Sequence, residues 1–206
     1  LDYFGKIIHT KTALIGEFQI YNAVMAIGLV IGMGIDANDL PIENIFENLC
    51  APAGRAEFVG KTKTGGAVFV DYAHTPVSLE QIIESLRKHT TNRLHVLFGC
   101  GGNRDTGKRP MMGEIAAKNA DIVYITDDNP RMEDATQIRK QIIAACPNGI
   151  EIANRAEAIH TAVNSLSDGD ILIIAGKGHE DYQIIGKEKT HFSDKEEVLN
   201  TIASMK

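Results

Sequence analysis

The sequence predicts an α/β fold: a mainly parallel sheet with helices on both faces, preceded by a shorter segment of different pattern. Three observations carry that expectation. Residues 94–100, 122–126 and 171–175 are continuously apolar rather than alternating, as parallel strands covered on both faces are. Helix-period segments separate them, the clearest being 76–88 with Leu79, Ile82, Ile83 and Leu86 on one face. Two compact polar motifs, Asp128-Asn129-Pro130-Arg131 and Gly176-Lys177-Gly178-His179-Glu180, directly follow the second and third apolar runs. In an open α/β sheet the loops after parallel strands line the ligand crevice.

Element by element, residues 1–15 read as a strand or hairpin, and 16–33 as a helix with Ile20, Val24, Ile27 and Ile31 at helical spacing and Gly34 as its stop. A short helix follows over 40–48, where Pro41 suits the first turn. Ala51-Pro52-Ala53-Gly54 then reads as a hinge, which divides the chain into domains 1–52 and 53–206. Beyond it, 57–63 and 67–72 flank Thr64-Gly65-Gly66, a hairpin signal. Thr75 caps the 76–88 helix, with Pro76 at its first position. The alternation continues with helices over 110–119 and 134–146, the latter capped by Asp134, a short strand over 150–153, and a helix opened by Asn154 and Glu157. Residues 181–185 and 189–192 suggest a second hairpin. Ser193-x-x-Glu196 is a capping box for the last helix.

Composition narrows the function classes. The net charge is −6 and no Lys/Arg run occurs, which argues against a nucleic-acid footprint. No apolar stretch reaches membrane length, and Lys6, His9 and Lys11 interrupt any signal-peptide pattern. Cys50, Cys100 and Cys146 are odd in number and scattered, so we expect reduced, buried thiols in a cytoplasmic protein. The chain opens on Leu1 without a Met and reads as part of something longer.

Four loops carry candidate chemistry. Residues 102–109 (GNRDTGKR) follow a strand and precede a helix as a P-loop does, but Arg109 stands where Ser or Thr would hold Mg2+. The favoured reading is a loop presenting Arg104 and Lys108 to an anionic group, with a plain glycine-rich turn as the alternative. Asp71-Tyr72-Ala73-His74-Thr75-Pro76 places a carboxylate and an imidazole at a strand-to-helix junction, which suits either a nucleotide neighbour or simple turn chemistry. Its spacing is not that of a metal site. Asp128–Arg131 alone could be an Asx/Pro turn, and Gly176–Glu180 a glycine turn with charged tips. Taken in order, they put Asp128, Arg131 and Glu180 around one small ligand with both positive and negative groups, such as an amino acid.

These motifs, with Gly16-Glu17-Phe18-Gln19-Ile20-Tyr21-Asn22, Gly54-Arg55-Ala56-Glu57 and Gly101-Gly102-Asn103-Arg104-Asp105, resemble the C-terminal part of a Mur ligase across essentially the whole chain. Asp128–Arg131 is similar to the pattern of the branch that adds meso-diaminopimelate to UDP-N-acetylmuramoyl-L-alanyl-D-glutamate. The resemblance implies a Rossmann-like C-terminal domain over 53–206, preceded by the tail of the central ATP-binding domain over 1–52. It implies an ATP- and Mg2+-dependent amide ligase of peptidoglycan precursor synthesis working through an acyl phosphate. Its partners are small molecules only: ATP, meso-diaminopimelate and the UDP-linked dipeptide. A monomer with no nucleic-acid or membrane partner is expected. Asn22, Arg55, Asp71 and His74 match positions near ATP or the hinge. Arg104, Asp128, Asn129, Pro130, Arg131, Gly176 and Glu180 match the diaminopimelate pocket. Gln19 stands where the family often has Asn. No residue here is assigned a catalytic role, since the P-loop and main Mg2+ ligands of the family lie upstream. A buried Arg131 would also leave lysine, which lacks the distal carboxylate, unpaired at a cost of several kcal/mol. The alternatives are a related ligase for another amino acid, such as a folylpolyglutamate-type enzyme, and a non-catalytic amino-acid-binding module.

Overall fold

The computed structural model describes residues 2–205. Leu1 and Lys206, the outer ends of the two expected domains, lie outside the described residues. The chain separates into two compact units, one ending at Pro52 and the other beginning at Ala53, and each is described by itself.

In the first unit, β1 (Asp2–Tyr3) and β2 (Lys6–Ile7) pair antiparallel. Residues 8–15, also in the expected strand region, are irregular. Helix α1 (Glu17–Gly32) ends at Met33, with Gly34 in the left-handed region just beyond at φ 101°. After a 3-10 turn, α2 (Ile42–Asn48) follows. Pro41 is its N-cap rather than part of its first turn: Leu40 is extended, and Pro41, at ψ 74°, is not yet helical. Ile8, Ile42 and Phe46 form a small core. Cys50 is exposed, against expectation: it follows the last turn of α2, where no apolar layer covers it, while Cys100 and Cys146 are buried.

The second unit runs β3 (Glu57–Lys61), β4 (Ala67–Asp71), α3 (Pro76–Arg87), β5 (Leu94–Phe98), α4 (Lys108–Asn119), β6 (Ile122–Ile125), α5 (Ala135–Ile143), β7 (Ile150–Glu151), α6 (Arg155–Asn164), β8 (Ile171–Ala175), β9 (Tyr182–Ile185), β10 (Glu188–His191) and α7 (Asp194–Ser204). Six strands form one sheet in the order β3-β4-β8-β5-β6-β7, while β9 and β10 make a separate antiparallel ribbon. Every pairing from β4 to β7 is parallel, and β3 pairs antiparallel at the edge. The three continuously apolar runs are therefore adjacent, at positions three to five of the sheet.

Helices α3, α4 and α5 pack on one face and α6 and α7 on the other. On the second face Val68, Val70, Leu97, Leu172 and Ile174 meet Ile159, Val163 and Val198. Side chains so fully buried contribute about 1.5–3 kcal/mol each. The caps do what their sequence suggests: Thr75 accepts from the Ser78 amide while Ser78 Oγ accepts from the Thr75 amide, closing a reciprocal box. Asp134, Asn154 and Ser193 accept from Thr136, Glu157 and Glu196. Helix α4 begins at Lys108, two residues before Pro110, since a proline in the first turn has no helical hydrogen bond to lose.

Below the carboxyl end of β8, Arg155 and Asp194 form a fully buried bidentate pair, Nε to Oδ1 at 2.7 Å and Nη2 to Oδ2 at 2.8 Å. Arg155 Nη2 also donates to the Ala175 carbonyl at 3.1 Å. The pair fastens the starts of α6 and α7 to the end of β8, one residue before Gly176. Breaking it strands a buried charge, so Asp194→Ala is expected to cost about 3–5 kcal/mol in urea unfolding, while Arg155→Met/Asp194→Leu recovers most of that loss. Single and double costs that simply add would show that the pair does not act as a unit.

Candidate functional site

The loops after β4, β5, β6 and β8 surround an open cavity of about 340 Å3 at the carboxyl ends of the strands. From the expected residues it brings together His74, Arg104, Asp128, Asn129, Arg131, Gly176 and Glu180; Tyr72, Lys108 and Tyr182 complete its polar wall. Pro130 is buried behind the lining, its carbonyl against Gly102 and accepting from the Glu133 amide at 3.1 Å. Asn22 is exposed on α1 of the first unit.

The loop after β4 is built on Asp71. Its buried carboxylate accepts from the amides of Ala56 at 2.6 Å and Ala73 at 2.7 Å. Burial pushes its carboxyl above the ordinary range, and the two amide bonds oppose that shift. Asp71 thus ties the hinge segment to β4 and does not line the cavity. Tyr72 has the Arg55 guanidinium over its ring, 4.7 Å from the centre, and the His74 ring edge-on at 4.6 Å between centres. His74 Nδ1 is 2.8 Å from the Tyr72 carbonyl. A carbonyl only accepts, so Nδ1 is the donor.

The loop after β5 is not a phosphate-cradling P-loop. Arg109 is 1% exposed and acts as a clamp, donating to Glu133 and Gln141 at 2.8 Å each. Glu133 in turn accepts from the Asn103 amide. Lys108 Nζ donates to the His74 carbonyl at 2.7 Å, and Arg104 is exposed at the rim.

In the loop after β6, the Asn129 amide oxygen accepts from Lys177 Nζ at 3.2 Å and from the Ile184 amide at 2.9 Å, so its Nδ2 donates to Glu180 Oε2 at 3.0 Å. Arg131 sits at φ 52°. Its backbone bonds to the β9–β10 ribbon through Ile184 and Gly186. Arg131 Nη1 donates to the carbonyls of Gly102 at 3.0 Å and Asn129 at 3.3 Å. Among the described residues its Nε and Nη2 make no hydrogen bond, which leaves one edge of the fork for a carboxylate. Arg131 is half-buried, not buried as expected: water reaches the guanidinium at the open cavity mouth, which lowers the penalty for leaving it unpaired.

Sequence reasoning passed over Lys177. Its side chain is fully buried, with Nζ 3.7 Å from Asp128 Oδ1 and 3.5 Å from Glu180 Oε2. Burial draws its ammonium below the ordinary lysine range, opposed first by Asp128. A lysine between two glycines directly after a buried strand, with a carboxylate three residues on, was the available signal.

Together these features define a doubly wound α/β domain whose strand-end crevice holds two carboxylates beside several cations. Residues 54–178 match the family described as Mur ligase, glutamate ligase domain, and the chain belongs to that family. It is 48% identical over 201 residues to the UDP-N-acetylmuramoyl-L-alanyl-D-glutamate--2,6-diaminopimelate ligase of Agrobacterium fabrum, covering 98% of this chain and 41% of that protein. A solved structure of a UDP-N-acetylmuramoyl-L-alanyl-D-glutamate--2,6-diaminopimelate ligase superposes with a TM-score of 0.74 at 36% identity, over 95% of this chain and 40% of that one. A Mycobacterium tuberculosis folylpolyglutamate synthase complexed with ADP and AMPPCP shares the fold, with a TM-score of 0.63 at 21% identity over 80% of this chain and 38% of that one. The chain therefore spans about 40% of the length of the relatives it matches.

The crevice relies on close backbone approach at the hinge. A Cβ on Gly54, at φ 65°, would lie 2.2 Å from the His179 amide nitrogen. Gly54→Ala is expected to destabilise the second unit by about 2 kcal/mol or more, from left-handed strain plus the clash. An unchanged melting temperature by circular dichroism would show that the segment can move aside freely.

Proposed function

We propose that this chain is the C-terminal part of an ATP-dependent ligase that adds meso-diaminopimelate to UDP-N-acetylmuramoyl-L-alanyl-D-glutamate. The carrying observation is one cavity with Asp128 and Glu180 on its floor and the Arg131 and Arg104 guanidinium groups at its edge. Diaminopimelate has a carboxylate and an ammonium at each end. The free edge of Arg131 suits a carboxylate bidentately, with Arg104 adding positive charge at the rim. Asp128 and Glu180 suit an ammonium. The chain's part in the reaction is then to hold the amino acid so that its attacking amine faces the activated carboxyl of the dipeptide, which lowers the entropic cost of encounter.

ATP supplies the phosphoryl group that activates that carboxyl. Arg55 over Tyr72, with His74 beside it, offers a stacking surface and a cation suited to a nucleotide, and Asn22 is a further candidate on the first unit. Among the described residues no three His, Cys, Asp or Glu side chains gather where a metal could bind. We assign the main ATP and Mg2+ ligands to the remaining part of the parent protein, residues 1–52 to the tail of its ATP-binding domain and 53–206 to its amino-acid domain. Among the described residues no helix is long and apolar enough to cross a membrane. A monomeric cytoplasmic enzyme acting on soluble precursors fits this reading.

Two measurements test it. The 206-residue chain alone is expected to release no phosphate above background when given ATP, meso-diaminopimelate and the UDP-linked dipeptide; turnover would overturn the division of labour. In the full-length parent, Arg131→Ala is expected to lower kcat/KM for meso-diaminopimelate by roughly 30- to 1000-fold, about 2–4 kcal/mol for a charge-assisted bidentate contact. Lysine then gains relative to diaminopimelate. An unchanged ratio between the two amino acids would remove Arg131 from the specificity role.

A further inference from the structure

The crevice floor has an unusual charge count. Arg155 and Asp194, beneath it, cancel as a closed pair. Above them Lys177 faces Asp128 and Glu180, so in this inner cluster one cation meets two anions; the other cations lining the cavity turn elsewhere, Lys108 to the His74 carbonyl, Arg131 to the carbonyls of Gly102 and Asn129, and Arg104 to the rim. The Arg155–Asp194 pair also acts on the Lys177 ammonium, the guanidinium disfavouring its charge and the carboxylate favouring it; its close contacts besides Asp128 and Glu180 are neutral, the Asn129 amide at 3.2 Å and the Tyr182 ring, whose centre is 5.6 Å away. The anions keep oxygens toward the cavity. Asp128 Oδ2 faces Gly176, where a Cβ would approach to 3.0 Å, and Glu180 Oε1 has only a long contact of 3.4 Å from Tyr182.

We propose that Lys177 is a positioning residue that holds Asp128 and Glu180 as two anions sharing one uncompensated charge, so that this end of the crevice accepts one ligand ammonium without a proton having to leave. The inference rests on the amino-acid-binding reading above and specifies how that site selects charge. Two little-exposed carboxylates that each lie within 4 Å of the same ammonium would, without it, repel each other, which favours uptake of a proton, and an arriving ammonium would have to displace that proton. Lys177 also acts through Asn129. Its contact with the amide oxygen fixes the orientation that turns Nδ2 toward Glu180, so the same cation places both carboxylates. Lys177 itself is fully buried and does not line the cavity.

The test has a ligand-free arm and a binding arm, both on the full 206-residue chain. In Lys177→Met, proton sharing raises the folded-state proton affinity of the Asp128/Glu180 pair. That contribution to stability is present at low pH and lost as pH rises. The melting-temperature deficit against wild type is therefore expected to widen from pH 5 to pH 8, by roughly 5 °C or more for one carboxylate proton in a domain of this size. Lys177→Met/Asp128→Asn restores the count of one negative charge and is expected to flatten the profile. A deficit constant with pH, or one that the second change does not flatten, overturns the proposal. If Lys177→Met does not fold, the balanced double variant must; failure of both also overturns it.

In the binding arm, meso-diaminopimelate is titrated calorimetrically in two buffers of different ionisation enthalpy. Wild type is expected to exchange almost no protons near pH 6.5, whereas Lys177→Met releases up to about one and binds about tenfold more weakly at pH 6 than at pH 8. Loss of affinity without proton release would make Lys177 a merely structural residue. If wild type gives no binding heat, the amino-acid reading fails, while the melting profiles still decide the role of Lys177.

Discussion

The crevice depends on the hydrogen bonds of Asn129. Its side-chain oxygen takes Lys177 and strand β9 through the Ile184 amide, and its amide reaches Glu180. Its carbonyl accepts the Gly102 amide at 2.9 Å and Arg131 Nη1. One residue therefore joins the loops after β5, β6 and β8 and the ribbon beyond them. A buried amide that made fewer bonds would cost the desolvation of each unmet group. The loops can meet this closely because little side-chain volume separates them: a Cβ on Gly102 would sit 1.9 Å from the Pro130 carbonyl oxygen.

Much of the fold was legible because the relevant forces act locally. Continuous apolar runs mark buried parallel strands, and Thr75, Asp134, Asn154 and Ser193 each cap the helix that follows. The insertion of β8 between β4 and β5 was not legible: strand order is set by which faces the helices cover, and no local residue encodes it. The site divides along the same line. Asp128, Arg131 and Glu180 announce themselves as charged residues just after buried strands. Asp71 occupies an equivalent place, yet its carboxylate turns inward to two amides, and only the three-dimensional path of the hinge segment at Ala56 settles that. Arg155 and Asp194 are separated by 39 positions, and nothing local pairs them.

Arg109 shows how one sequence pattern supports different physics. A P-loop leaves its backbone amides open to an anion and keeps a hydroxyl for a metal. Here Glu133 takes the Asn103 amide while Arg109 holds Glu133 and Gln141. The loop's hydrogen-bonding capacity is thus partly consumed within the protein. Arg104, exposed at the rim, retains its charge for the cavity.

The electrostatics of the crevice also bound its selectivity. Lys177 is fully enclosed, so the charge it balances is fixed by the protein and felt strongly in a poorly hydrated floor. Arg131 is half-buried and already anchored by two carbonyls, so its free edge can be hydrated when no carboxylate is present. Under the proposed function, the ammonium end of an amino acid is then selected by a dry, counted charge. The distal carboxylate is selected by the gain of a bidentate contact over water. An amino acid lacking that carboxylate forfeits the gain but does not strand a buried cation. Discrimination at Arg131 therefore comes mainly from what diaminopimelate gains there, with a smaller penalty on lysine than full burial would impose.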